Sequence, residues 1–329
     1  MPIGGRKQWG GLNMGRPQLI ETGIDTGPLQ TPESSRPSTV FIETPTIQDI
    51  TNRSIAYLRS GYPVHFRGSA GSGKTALALR IAEMLGRPTL FITGDATFTS
   101  QSLVGRESGT KTKQVIDRYI HSVAKFEKET SIAWNDEVLT QACVNGYTLI
   151  YDEFTRSRAE ANNALLPVLE ERVLVLPSSA RRDPYVKVHP EFRAIFTSNS
   201  SDYVGVQTAQ DALLDRMITI DLDGIDRETE IVIVSGRSGL AEDLAARIVD
   251  MVRDFRESGA YEQTPTMRAS LMIARVAMTQ GLRISASDPA FVGLCLDVLA
   301  SKGAPGAHTE ERRQLNDALH ELIAAHFVA

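Results

Sequence analysis

Gly68-Ser69-Ala70-Gly71-Ser72-Gly73-Lys74-Thr75 stands between the apolar run Val64–Arg67 and a helical pattern over Ala76–Leu85. Three glycines in so short a stretch let the backbone turn tightly and aim several N–H groups at one point, and a helix starting there adds the positive end of its dipole. Strand, glycine loop and helix in that order form a phosphate cradle, the P-loop pattern. In it Gly68, Ser69, Ala70, Gly71, Ser72 and Gly73 bring backbone donors, Lys74 reaches the β- and γ-phosphates of a nucleoside triphosphate such as ATP, and the Thr75 hydroxyl ligates Mg²⁺. An ordinary glycine-rich turn is the plainer alternative, but it does not call for Gly68, Gly73, Lys74 and Thr75 together.

A P-loop does not separate a kinase from a switch or a motor, so the acidic site that accompanies it decides more. Thr148-Leu149-Ile150-Tyr151 is an apolar strand that ends in Asp152-Glu153. This places Asp152 beside the metal and Glu153 where it polarises a water toward the γ-phosphate. A nucleotide kinase would position an acceptor hydroxyl instead of a water. A further strand ends in Thr197-Ser198-Asn199. By itself an Asn after a strand is a turn residue; following Asp152-Glu153, its amide is also suited to hydrogen-bond the attacking water or the γ-phosphate.

Around these motifs the chain divides into three. Residues 1–39 hold seven glycines and five prolines, with too little periodic apolar surface to repay ordering, and read as a flexible tail. Over residues 40–225 short β-rich runs alternate with helical patterns, which predicts an α/β layer with a parallel sheet. Its strands are expected at Pro63–Arg67, Thr89–Thr93, Thr148–Tyr151, Ala194–Ser198 and Met217–Leu222. Residues 226–329 change to helical spacing: Leu244, Ile248, Met251 and Phe255, then Met267, Leu271, Ala274 and Met278, then Leu315, Leu319 and Leu322 behind Thr309. Pro265 after Thr264 and Pro289 after Asp288 are expected as first-turn prolines behind N-caps.

Composition narrows the function classes. Of 329 residues 35 are Lys or Arg and 40 are Asp or Glu, a net charge of −5, so no global positive field draws nucleic acid or anionic membrane. No stretch reaches the length of a membrane span and no secretory leader is evident, so a cytoplasmic protein is expected. Cys143 and Cys295 lie far apart inside apolar stretches and are expected as buried free thiols. None of the six histidines has a second histidine or a cysteine at ligand spacing, which argues against zinc. No Gly-x-Ser-x-Gly elbow with ordered partners supports serine hydrolase chemistry.

The order Lys74, Asp152-Glu153, Asn199 resembles the AAA+ ATPases, and Asp152-Glu153-Phe154-Thr155-Arg156, Asn163-Ala164-Leu165-Leu166 and Leu169-Glu170-Glu171-Arg172 resemble their MoxR branch. The resemblance covers about residues 45 to 280. It implies a five-stranded sheet in the order 5-1-4-3-2 under a C-terminal helical lid. It also implies that Arg216 is an arginine finger reaching a neighbouring subunit's nucleotide, hence a homo-oligomer with a hexamer suspected, and that Arg268 is the lid's sensor 2, touching phosphate in cis. Plainer roles stay open: a salt bridge of Arg216 with Asp211 or Asp215, and a solvated helix-end arginine at 268. Residues 173–188, with Arg181-Arg182 at the tip, read as a hairpin of the kind that faces a pore in AAA+ relatives, or as an exposed basic turn.

The run Tyr185 to Asn199, continuing through Tyr203-Val204-Gly205-Val206 to Gln210-Asp211-Ala212, is similar to the MoxR-type ATPases of gas vesicle gene clusters. So are Thr44-Pro45-Thr46 and Phe98 to Gly105. This resemblance implies ATP hydrolysis that remodels or assembles gas vesicle shell or accessory proteins. A nucleotide-binding adaptor that does not hydrolyse, another MoxR-type remodelling ATPase, and a DNA motor that the net acidity disfavours remain as alternatives. One departure stands out: Tyr151 precedes Asp152 where many such strands carry an aliphatic residue.

Overall fold

The computed structural model describes residues 41–120, 123–177, 184–199, 211–222, 224–259, 265–300 and 309–327. The expected tail, the Arg181-Arg182 tip and the segment from Tyr203 to Gln210 lie outside the described residues.

The chain enters at α1 (Pro45–Arg59), which Thr44 caps through its hydroxyl while Pro45 takes a first-turn position where no N–H is needed. Its buried face carries Ile47, Ile50, Ile55 and Leu58. Next come β1 (Val64–Gly68), α2 (Lys74–Leu85), β2 (Thr89–Thr93) and the short α3 (Ser100–Val104). A long antiparallel hairpin follows, β3 (Gly105–Ile120) and β4 (Val123–Asp136), in register from Gly105 opposite Asp136. It was not expected from the pattern, which reads only as far as Gly105. Then α4 (Val138–Asn145) leads to β5 (Thr148–Asp152), and α5 (Ala159–Asn162) and α6 (Leu166–Glu170) lead to the small antiparallel pair β6 (Val173–Val175) and β7 (Tyr185–Lys187). That pair is the base of the hairpin expected over 173–188. The sheet closes with β8 (Arg193–Asn199), the one-turn α7 (Asp211–Leu214) and β9 (Ile218–Asp221).

Five parallel strands lie in the order β2-β5-β8-β1-β9. Counting only these five along the chain gives 5-1-4-3-2, the expected order, with strand ends within a residue or two of those read from the pattern. Both faces are covered, which is why the strands read as continuous apolar runs. Val64, Phe66, Ile150, Ile195 and Ile220 pack with Leu58, Leu77 and Ile81 on one face. Leu149, Tyr151, Ala194 and Phe196 pack with Leu139, Phe154 and Leu165 on the other. Phe66, Tyr151 and Phe196 are fully buried, each such aromatic contributing roughly 1.5–3 kcal/mol from area alone.

Beyond β9 the chain is helical: α8 (Arg227–Ser238), α9 (Glu242–Ser258), α10 (Met267–Gln280), α11 (Pro289–Ala300) and α12 (Thr309–His326). Ile248, Met251, Phe255, Ile273, Phe291, Leu319 and Phe327 share their core. Pro289 opens α11, with the Asp288 carboxylate accepting from the Ala290 N–H at 2.9 Å. Pro265 is a correction: the cap of α10 is Thr266 and the helix starts at Met267, so this proline lies before the cap. A second correction is Met278, which is exposed; Ala277 takes the buried position because the face of α10 is set by Ile273 and Ala274. Cys143 and Cys295 are buried free thiols, each pushed up to about 12 by loss of solvation. Among the described residues no helix is long and apolar enough to cross a membrane.

Candidate active site

Parallel strands share one end, and the loops leaving it bring distant residues together. Gly68, the last residue of β1, is level with Asn199, the last of β8, and Asn199 is buried. From Gly68 the chain turns through Gly71 and Gly73, both at φ 88°, where a side chain is strained and glycine is not. Lys74 begins α2 and is almost wholly buried; its ammonium donates to the carbonyls of Gly68 at 2.9 Å and Ser69 at 2.8 Å. The start of α10 rests on the same loop. A side chain at Gly71 would meet Thr266 Oγ1 and the Cβ of Arg268, so Arg268, exposed in the first turn of α10, borders the glycine loop.

Thr75 follows Lys74, and its hydroxyl donates to Asp152 Oδ1 at 2.8 Å. The same oxygen accepts from Thr197 Oγ1 at 2.6 Å, and Thr197 Oγ1 in turn accepts from the Glu153 N–H at 2.9 Å. One hydroxyl of β8 therefore ties the two acidic positions together. Glu153 itself is left-handed at φ 51° although it is not a glycine, a conformation that costs on the order of 1–3 kcal/mol and persists only where its surroundings impose it. Its carboxylate pairs with Arg156 at 2.8 Å. With Arg156 more than half exposed, that pair contributes about 1 kcal/mol at most. On the outer side, the Gly94 N–H donates to the Asp152 carbonyl at 2.7 Å, and any side chain at Gly94 would strike the Glu153 carbonyl.

Thr75 and Asp152 offer two hard oxygens side by side next to the Lys74 loop, the donor chemistry that suits Mg²⁺. These two residues would hold the ion. A cavity of about 270 Å³ lies between the loop and the helices α9 and α10, lined by Ser69, Ser72, Leu222, Arg256, Thr266 and Met267.

Residues 63–217 match the family described as AAA domain, dynein-related subfamily. The gas vesicle ATPase GvpN of Ancylobacter aquaticus is 54% identical over 290 residues, 88% of this chain and 81% of that protein. GvpN2 of Halobacterium salinarum is 41% identical over 86% of this chain and 80% of its own length. The corresponding protein of Haloferax mediterranei is 40% identical over 83% and 78%. The chain belongs to the GvpN family. Its sheet order, glycine loop and helical C-terminal region are those of an AAA+ domain.

Not every residue singled out in this GvpN-family chain joins the cluster. Lys74, Thr75, Asp152, Glu153 and Asn199 stand at the shared strand ends, and Arg268 stands beside the glycine loop at Gly71. Arg216 does not: it precedes β9, whose first residue is level with Val64, so it lies at the opposite end of the sheet from Gly68. Its guanidinium donates to Glu170 at 2.8 Å and to the Ala212 carbonyl, and not to Asp211 or Asp215. Two residues of the site were missed by sequence reading. Thr197 was passed over as part of an apolar strand, although a hydroxyl two residues before Asn199 marks the position next to Asp152. Gly94 has no motif around it, since its neighbour Glu153 is 59 residues away in the chain. A third feature, the bidentate pair Arg67–Asp221, joins β1 to β9 just before the glycine loop.

Proposed function

We propose that this chain is a Mg²⁺-dependent ATPase that works as a homo-oligomer, a hexamer in the reading favoured by its family, on gas vesicle shell or accessory proteins in the cytoplasm. What carries the reading is one connected set of contacts: Thr75 to Asp152, Asp152 to Thr197, Thr197 to the Glu153 N–H, beside the Lys74 ammonium. Thr75 and Asp152 would hold a magnesium ion, which when bound would supply neutralising charge for the triphosphate. Gly68–Gly73 and Lys74 bind and orient the phosphates. Glu153 accepts a proton from the attacking water, and Asn199 orients that water against the γ-phosphate. Arg268 draws residues 226–329, acting as a lid, over residues 40–225, and Arg216 serves the nucleotide of the neighbouring subunit. The relatives named as gas vesicle ATPases support both the activity and the setting, and the contact of α10 with the loop at Gly71 supports a lid that moves with the nucleotide.

Phosphate release measured beside nucleotide binding tests this reading. Glu153→Gln is expected to lower turnover by about 10²–10⁴-fold while ATP still binds; unchanged turnover removes Glu153 from the mechanism. A second reading, a nucleotide-binding adaptor, is favoured by the engagement of Arg216 with Glu170 inside its own subunit. It requires that ATP binds with no turnover at any protein concentration.

A further inference from the structure

Tyr151, the residue that departs from the aliphatic pattern before Asp152, is fully buried, and its hydroxyl meets two other buried polar groups. Ser157 Oγ lies 2.7 Å away and Asn162 Oδ1 lies 3.0 Å away. A phenol carries one proton. An amide oxygen cannot donate, so the phenol donates to Asn162 and accepts from Ser157, the one arrangement that satisfies both contacts. Both ends of this short chain reach the backbone around Glu153. Asn162 Nδ2 donates to the Phe154 carbonyl at 3.1 Å, and Ser157 Oγ accepts from the Asp95 N–H at 3.2 Å.

The turn that these bonds grip is Glu153–Ser157: left-handed at Glu153, then a single 3-10 turn over Phe154–Arg156 closed by the Arg156 N–H on the Glu153 carbonyl. Such a turn has no long helix or strand to stabilise it. The Thr197 hydroxyl fixes its first N–H, and the Tyr151 chain fixes the next carbonyl from below.

We propose that Tyr151, acting through Asn162 and Ser157, is a positioning residue for Glu153: its hydroxyl holds the left-handed turn that aims this carboxylate. The inference rests on the role given to Glu153 above. An aliphatic residue at 151 would fill the space but leave the Asn162 amide oxygen and the Ser157 hydroxyl without this partner, a loss felt first in the turn.

Tyr151→Phe removes one oxygen and keeps the ring contacts with Phe98, Phe154 and Phe196. Two measurements on the full chain decide the matter. In steady-state hydrolysis, kcat is expected to fall about tenfold with KM for ATP within twofold, because the phosphate loop is untouched. In amide hydrogen exchange without nucleotide, the N–H groups of Glu153 and Arg156 are expected to exchange about tenfold faster while those of α2 stay unchanged. If the variant does not fold, Ser157→Ala cuts the chain at its outer link and should give about threefold changes of the same kind. The proposal is overturned by a kcat within twofold of the wild type, by a KM that rises as kcat falls, or by exchange that quickens evenly across the sheet. Exchange needs no turnover, so a wild type that does not hydrolyse ATP sinks the proposed function while the exchange result still decides whether Tyr151 holds the turn.

Discussion

Two loops leave the same end of the sheet and both pass through left-handed backbone, yet they are held there in opposite ways. Between β1 and α2 the left-handed positions are Gly71 and Gly73, and the loop is nearly self-sufficient: its own glycines permit the turn and its own Lys74 fills it. After β5 the strained position is Glu153, and nothing in its own segment makes that conformation easy. It is imposed by Thr197 from β8, by Tyr151 and Asn162 from below, and by the bare backbone of Gly94 beyond the end of β2. A loop that only binds can be built from residues that tolerate strain. A loop that must also carry a carboxylate cannot, so the tolerance has to be supplied by its neighbours.

The sharpest way to break this contrast is Gly94→Ala. The added methyl would run into the Glu153 carbonyl and lie 3.1 Å from Ser157 Oγ. Main chain cannot yield as a flexible side chain does, and overpacking of this kind costs about 1–3 kcal/mol. Thermal unfolding should report that loss, and turnover should fall more than tenfold with ATP affinity nearly kept. If stability and turnover both match the wild type, the turn after Asp152 does not depend on this glycine.

The same contrast explains what could be read from the letters alone. Gly68 to Thr75 is local, so its glycines, lysine and threonine sit at fixed offsets and declare the strand, the loop and the helix around them. Asp152-Glu153 is legible for the same reason, and the five strands follow from runs that are apolar on both faces. Gly94 and Thr197 are 59 and 44 residues from Glu153, and only the order of strands in the sheet makes them neighbours; Asn162, nine residues on in α5, comes back to the turn at the Phe154 carbonyl. The hairpin over residues 105–136 escaped because it pairs with itself outside the main sheet, so the sheet's apolar pattern does not extend into it. The plainer role of Arg216, a salt bridge with Asp211 or Asp215, has a different partner: Glu170 lies in a helix 46 residues earlier, beyond any sequence window.

A smaller effect comes from a residue beneath both loops. His65 lies on β1 three residues before Gly68, and its ring stands edge-on to Phe154 in the Glu153 turn. It is fully buried, with Nε2 at 2.8 Å from Ser198 Oγ and Nδ1 at 3.0 Å from Thr219 Oγ1. Burial first, and then the Arg67 and Lys74 charges against the opposing pull of Asp221, lower it to about 4 from its ordinary 6.5. The unfolded chain takes up this proton below 6.5 and the folded chain only near 4, so the stability is full above 6.5 and drains away as pH falls through that window. Urea unfolding should show His65 costing roughly 2 kcal/mol at pH 5 relative to pH 7.5. In His65→Gln that part of the pH dependence should vanish; if it persists, other groups carry it.

Gly73→Ala is the mildest change and sharpens the comparison most finely. At φ 88° a side chain is strained, but nothing lies within 4 Å of the position an added methyl would take. The cost is therefore purely of backbone origin, about 1–2 kcal/mol for one left-handed residue. Gly71 has the same φ, yet there a methyl would also come within 2.8 Å of Thr266 Oγ1 at the cap of α10. Thermal denaturation of the nucleotide-free protein should rank Gly71→Ala below Gly73→Ala, and the gap between them measures how firmly α10 sits on the loop. Equal losses would mean that Thr266 swings away freely and that α10 does not clamp the loop at Gly71.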